Sequence, residues 1–178
     1  MPHRLHRLKR GASCLPGSKM RYHWRAMKDN PFWKTKTLEE MTPAEWELLC
    51  DGCARCCLYK LDDEDGYIYT TRVVCRYLNL QTCRCTAYDT RSVVMPTCVV
   101  LDAEKANTLG WLPPTCAYRL LAEGKGLPPW HPLVCGNHAE VQRQGVSIRD
   151  FAIPDDQVDL ENLEDYIFDG YDSTGEED

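Results

Sequence analysis

The chain has 178 residues, 43% of them hydrophobic, with 11 cysteines and a formal net charge of -6, a size and composition suited to one globular domain with tails. The charge is unevenly spread: residues 1–28 carry eight Lys/Arg and no acid, residues 29–154 carry a net -3, and residues 155–178 carry eleven acids and no base. No apolar run near the start reaches the roughly 7–15 residues of a secretory signal and none anywhere reaches the about 20 of a membrane span, so the expectation is a cytoplasmic protein with reduced thiols and no membrane partner.

Residues 1–28 have no clear apolar period and read as a basic, disordered extension, with Met20 and Met27 as alternative starts. Organised sequence begins at Pro31-Phe32-Trp33, aromatic residues that should dock on the domain. A helix start follows, with Thr42 as N-cap, Pro43 at the first helical position and Glu45 placed to close a capping box. Trp46, Leu49 and Cys50 then share one face, so the helix delivers a thiol inward. The chain continues as a knuckle-like loop, Cys50-Asp51-Gly52-Cys53-Ala54-Arg55-Cys56-Cys57, in which Gly52 frees the backbone for tight wrapping.

Asp62-Asp63-Glu64-Asp65-Gly66 lacks the alternate ligand spacing and terminal Glu of an EF-hand loop and reads as a solvated turn. Residues 67–74, rich in β-branched and aromatic side chains, read as a strand ending on Cys75. Residues 88–91 read as a helical turn and residues 102–109 as a short helix closed by Gly110. Thr115 reads as the cap of a helix that ends at Gly124 and holds Cys116 in its first turn. Residues 127–132 read as proline-rich loop, 146–153 as a strand and 158–168 as a helix in the acidic C-terminal segment, with a disordered tail beyond. The expected fold is α+β: a small, irregular, metal-stabilised single domain over residues 29–154, with short helices and few strands, its periodicity too broken to give a topology.

The thiols carry the chemistry. They run Cys50-x2-Cys53-x2-Cys56-Cys57, then Cys75, Cys83-x-Cys85, Cys98 and Cys116, with Cys14 and Cys135 apart. A C-x2-C pair brings two sulfurs to one ion from a single turn of backbone, which is why it recurs in zinc knuckles and iron–sulfur loops. An odd count with an adjacent pair suits a disulfide framework poorly. Nine thiols are too many for one tetrahedral ion; they fill two four-ligand sites with one left over, or build a thiolate-bridged cluster. Because adjacent Cys56 and Cys57 are poorly placed to share an ion, the motif reads as half of two sites, completed from further down the chain.

Other polar groups have plainer readings. His131 reads as a packed, hydrogen-bonded histidine rather than a ligand, and Tyr88, Tyr118 and Arg119 as either neighbours of thiolates or packing groups. No Ser/His/Asp arrangement, glycine-rich phosphate loop or H-E-x-x-H occurs, so hydrolytic and nucleotide-using classes have no support. The acidic domain and tail disfavour a nucleic-acid partner.

The motif Cys50 to Cys57, with Pro31-Phe32-Trp33 before it and Cys83-Arg84-Cys85, Tyr88, Trp111-Leu112-Pro113, Thr115-Cys116-Ala117-Tyr118-Arg119-Leu120 and Trp130-His131-Pro132 after it, resembles the YcgN family. That family belongs to the bacterial CxxCxxCC (YkgJ-like) group, associated with zinc or iron chelation. The resemblance spans about residues 31–153 and implies a bacterial cysteine-cluster protein that binds metal through Cys50, Cys53, Cys56, Cys57, Cys75, Cys83, Cys85, Cys98 and Cys116. Zinc is favoured as the metal because it accepts these ligands in a structural role without redox chemistry. Iron, as an iron–sulfur cluster or a thiolate-bound ion, is the alternative, since Cys50, Cys53 and Cys56 have the spacing of the first three ligands of a bacterial ferredoxin loop. Thiolates exclude magnesium and calcium, and copper(I) stays open. The expected function is a structural or a chelating and delivery role for the bound metal; the opposing reading is an iron–sulfur or thiolate–metal redox enzyme.

Overall fold

A computed structural model of the chain describes residues 30–168; the readings of residues 1–28 as a basic extension and of the far C-terminus as a disordered tail lie outside the described residues. The first described element, α1 (Phe32–Thr35), buries Phe32 and Trp33 in an edge-to-face contact with ring centroids 5.2 Å apart. Helix α2 (Pro43–Leu49) starts on the expected capping box: Glu45 N donates to Thr42 Oγ1 at 3.3 Å and Thr42 N donates to Glu45 Oε2 at 2.8 Å. Lys36 Nζ adds a 2.7 Å contact to Glu45 Oε1, and this ammonium, with Thr42, holds the Glu45 carboxyl down to about 2. The helix ends at Leu49, which is fully buried.

After a 3-10 turn at Arg55–Cys57, strand β1 (Leu58–Asp62) pairs antiparallel with β2 (Ile68–Val74), Leu58 opposite Val74 and Asp62 opposite Ile68, with a register shift between Leu58 and Lys60. Five residues join them, and Asp63 uses its carboxylate to build that turn: Oδ1 accepts from Asp65 N at 3.1 Å and from Tyr67 N at 2.8 Å. The acidic run is therefore a turn, as its spacing indicated. Strands β3 (Leu78–Asn79) and β4 (Arg84–Cys85) form a separate small hairpin with Leu78 opposite Cys85.

Eight short helical segments follow, six of them before the last strand. A 3-10 turn at Tyr88–Thr90 runs into α3 (Arg91–Val94), and α4 (Ala103–Thr108) is capped by Asp102, which accepts from Lys105 N at 2.8 Å. Helix α5 (Ala117–Ala122) corrects the expected cap: Cys116 occupies the N-cap position, and the Thr115 hydroxyl is buried with no hydrogen-bond partner. Helices α6 (Pro132–Cys135) and α7 (Ala139–Arg143) arise where no helix was expected. Strand β5 (Ile153–Pro154) pairs parallel with β2, giving a three-stranded sheet of order β1-β2-β5. Only the end of the strand expected over residues 146–153 forms; Val146 and Ile148 are buried from turns instead, with Ile148 N donating to Cys53 O at 3.1 Å. The last segments are 3-10, at Asp155–Gln157 and at Leu160–Tyr166, the second broken at Asn162. Phe168 then joins β2 through its N–H to Thr70 O at 2.8 Å and stacks on Phe151 at 4.7 Å.

Two buried polar side chains fasten these short pieces. His131 is fully buried: its Nδ1 accepts from Leu133 N at 3.1 Å, so its Nε2–H faces the Leu49 carbonyl, also at 3.1 Å. One neutral ring thus caps α6 and satisfies an orphan carbonyl at the end of α2, as the packed reading of this histidine anticipated. Asp155, equally buried, accepts from Tyr59 Oη at 2.8 Å and from Arg76 Nε at 2.7 Å. It ties β1, the residue after Cys75 and the start of the C-terminal segment together. Burial, and then the bond to Asp155, push the Tyr59 hydroxyl up to about 12.

Each staple has a measurable weight. Replacing Asp155 with Ala should lower the unfolding free energy by about 1–3 kcal/mol and Tyr59 with Phe by about 1 kcal/mol, with interaction between the two in a double-mutant cycle read by urea denaturation. Burial lowers the His131 pKa below its ordinary 6.5, so the unfolded chain binds the proton first. This contribution to stability is complete above about pH 6.5 and is lost as the pH falls below it. His131→Gln should therefore flatten the fall in urea midpoint on moving from about pH 7 to about pH 5.5.

Candidate metal centre

Helix α2 ends on Cys50, whose extended backbone turns the chain away from the helix. Asp51 then folds back, its Oδ1 accepting from Cys53 N at 2.9 Å, and Gly52 takes a φ of 76°. The Arg84 guanidinium lies over Gly52, so that a Cβ there would sit 3.5 Å from Nη2. Ala54 also adopts a left-handed φ of 62° while buried in the core, a strained conformation for a residue with a side chain. The 3-10 turn then presents Cys56 and Cys57 in succession. Cys57 O accepts from Cys75 N at 3.4 Å, and the β3–β4 hairpin carries Cys85 opposite Leu78, whose own N–H bonds back to Cys75 O. Cys98 follows α3 and bonds through its N–H to Met95 O, while Cys116 heads α5.

The ten described cysteines are free thiols, and their mutual electrostatic effects sort eight of them into two neighbourhoods. Burial pushes Cys50 up to about 12, and the charges of Cys56 and Asp51 add to the push. Burial likewise drives Cys53 well up, with Asp51, Cys56 and Cys50 contributing. Cys116 is pushed up to about 12 by burial, then by Cys56 and Asp51. Cys50, Cys53, Cys56 and Cys116 are thus one group around Asp51. In the second group burial raises Cys75, with Asp155 and Cys85 adding to it, and burial raises Cys98 against the pull of Arg91, with Cys85, Cys75 and also Cys56 of the first group adding. Cys57 joins that group through Cys98. Cys56 and Cys57 are the seam between the groups. The Cys57 thiol donates a hydrogen bond to Cys56, which pulls Cys56 down to about 7, assisted by Lys60, and drives Cys57 up.

Cys83, the ninth thiol expected at the site, sits in a different environment. It belongs to the core cluster with Ala54, Leu58, Val74, Leu78 and Ile148, and its sulfur meets Ser147 Oγ at 3.4 Å. Cys135 is exposed on α6 and bonds to Trp130 O at 3.2 Å. Tyr118 donates to Trp46 O at 2.8 Å, Tyr88 to Glu47, and Arg119 to Leu112 O and Glu123; they brace the elements that carry the thiols. As the side chains stand, no three His, Cys, Asp or Glu groups among the described residues are disposed to hold a metal ion.

Two residues at this place were not singled out from the sequence. Asp51 is buried and its Oδ2 has no hydrogen-bond partner, an unmet acceptor among thiols. Lys60 lies under the seam, and burial lowers its pKa to about 8 while Cys56, Cys57 and Cys53 favour its charge. Asp51 could have been suspected from its place inside the motif. Nothing in the alternation of β1 sets Lys60 apart from a solvated strand lysine.

The chain is 55% identical over 133 residues to a UPF0260 protein of Klebsiella pneumoniae, covering 74% of this chain and 90% of that one. It is 54% identical over 133 residues to the UPF0260 protein YcgN of Escherichia coli, covering 74% and 87%. It is 50% identical over 152 residues to a UPF0260 protein of Rhizobium etli, covering 85% and 96%. No protein-family model matches the chain, and no solved structure matches it. Among the described residues no helix is long and apolar enough to cross a membrane.

The thiols differ enough to be told apart by alkylation. In the reduced, metal-free protein Cys56 should react with iodoacetamide well before buried Cys53, with a rate that rises to half its plateau near pH 7. Peptide mass spectrometry over a time course reads both.

Proposed function

The chain belongs to the UPF0260 family, that of YcgN, and we propose that it is a cytoplasmic metal-binding protein whose eight grouped thiols hold two metal centres in a structural or a chelating and delivery role. Cys50, Cys53, Cys56 and Cys116 would hold one centre, and Cys57, Cys75, Cys85 and Cys98 the other. The observation that supports the reading is the gathering of thiols from the motif and from distant segments about the Cys56–Cys57 turn, with Cys56 acting on Cys50, Cys53, Cys116 and Cys98 and Cys85 acting on Cys75 and Cys98.

The donor chemistry fits a thiophilic cation. Buried thiols raised as far as Cys50 and Cys116 release their protons only to a positive partner, and a bound ion supplies that charge. The unmet Asp51 oxygen is a further sign that the first group lacks a positive partner. Four thiolates and no histidine at either group suit zinc, which stays favoured over iron or an iron–sulfur cluster. When bound, such an ion cross-links segments too short to fold alone and contributes on the order of 10 kcal/mol to folding, as much as the net stability of a typical domain. The protein's own residues do the rest: Asp51 shapes the loop through Cys53 N, His131 fixes the end of α2, and Arg55 anchors the turn through Val146 O at 2.6 Å and Gly145 O at 3.0 Å.

Anaerobic purification, metal analysis and a visible spectrum test the reading. Two equivalents of zinc in a colourless protein are expected, with Cys116→Ser and Cys98→Ser each losing one. A brown, dithionite-bleachable protein would replace zinc by iron–sulfur chemistry. A metal-free chain that folds as well as the purified protein would end the metal reading altogether.

A further inference from the structure

Beside the cysteine loop lies a cavity of about 410 Å³, within the roughly 300–1,000 Å³ usual for small-molecule sites. Its wall comes from the loop at Asp51 and Gly52, the β3–β4 turn at Thr82 and Arg84, helix α7, and the turn after it at Ser147 and Arg149. Two guanidiniums stand on that wall. Arg84 lies over Gly52, and among the described residues none of its donors is spent on a hydrogen bond. Arg149 is held in place by neutral acceptors, Gln142 Oε1 at 2.6 Å and the Gln81 carbonyl. Among the described residues neither arginine pairs with a carboxylate. The acids on and just after α7 are engaged elsewhere: Glu140 pairs with Arg143 at 2.6 Å, and Asp150 accepts from Gln142 Nε2 at 3.2 Å. Asp51 brings the one carboxylate that lines the cavity among the described residues, but its Oδ1 accepts from Cys53 N at 2.9 Å and its Oδ2 is shut off from solvent. Residues 29–154 sum to a charge of -3, so acids are in excess, yet this wall keeps two cations without one.

The geometry points to a binding site for a small organic anion, a dicarboxylate or a phosphate ester, whose oxyanion groups are held by Arg84 and Arg149 and whose body rests on Val141 of α7. A guanidinium presents a planar fork of donors that matches the paired oxygens of a carboxylate or phosphate. The two bonds that fix Arg149 set its fork in advance, so less ordering is left to do when the anion arrives. The hydroxyls of Thr82 and Ser147 add uncharged polar contacts on the same wall. The site stands apart from the two-centre reading: Cys83 is the thiol on its wall, and none of the eight grouped thiols lines it. Because Arg84 lies over Gly52, an occupant rests against the cysteine loop.

The full chain as purified is titrated with inorganic phosphate and, separately, with succinate at physiological salt, and binding is read by calorimetry and by amide NMR shifts. Saturable binding of at least one probe is expected, with shifts at Gly52, Thr82 and Gln142. Phosphate alone marks a phosphate ester as the ligand, succinate alone marks a dicarboxylate, and both together mark the shared oxyanion. Arg84→Gln should weaken binding by about tenfold or more with the melting temperature unchanged, since Arg84 is exposed. Arg143→Gln removes a charge that is already paired with Glu140 outside the cavity and should bind as wild type does. Failure of both probes to saturate the wild-type chain overturns the inference. Wild-type affinity in Arg84→Gln, or an equal loss in Arg143→Gln, the mark of general charge attraction, also overturns it. Should Arg84→Gln fail to fold, Thr82→Asp decides: it sets a carboxylate on the exposed rim, and unchanged affinity overturns the inference. The metal content of the same preparation decides the two-centre reading by itself and leaves the anion result standing.

Discussion

Two cysteines joined by one peptide bond govern this domain. Cys56 and Cys57 shift each other's thiols in opposite directions, and Cys56 also adds to the rise that burial gives Cys50, Cys53, Cys116 and Cys98. The surroundings are arranged to make that seam possible. Ala54 is held left-handed ahead of it, β1 leaves it immediately, and β2 returns so that Cys75 pairs with the Cys57 carbonyl. The end of β2, the β3–β4 hairpin, the turn after α3 and the start of α5 supply the other thiols.

The fold treats its two buried carboxylates in opposite ways. Asp155 has both oxygens engaged, by Tyr59 and Arg76, and belongs to the permanent framework. Asp51 has one oxygen spent on the backbone of its own loop and one left unmet beside the thiols. A protein interior seldom leaves such a group alone, and the contrast marks where the framework ends and the chemistry begins. Much the same holds for cations: the ion pairs of Arg119 and Lys36 lie with carboxylates near the surface, while the half-buried Lys60 meets backbone carbonyls and the Trp111 ring.

Local signals were legible and relational ones were not. The capping box of α2, the positive φ at Gly52 and the acidic turn are written within four or five residues, and each formed as read. The α+β class followed from the helix caps and the β-branched run of residues 67–74. Strand β1 escaped notice because its five residues abut the motif and alternate weakly. Val146 and Ile148 were taken for a strand because burial alone makes the same apolar pattern whether the backbone pairs or turns. Thr115 looked like the better cap, but Cys116 took the position and left the hydroxyl buried. Cys83 was indistinguishable from Cys85 by spacing; what separates them is the left-handed φ of 52° at Cys83, just ahead of β4, which seats it in the core cluster.

The braces of the cysteine loop come from late in the chain: His131 under Leu49, the carbonyls of Gly145 and Val146 on Arg55, and the amide of Ile148 on the Cys53 carbonyl. A polypeptide leaving the ribosome exposes the motif long before these residues appear. The loop therefore reaches its final shape only after residue 148 has been made, and until then its thiols stand on an open chain. Synthesis thus opens a window in which the sulfurs are exposed to oxidation, and the window closes with the arrival of a single turn around residue 148.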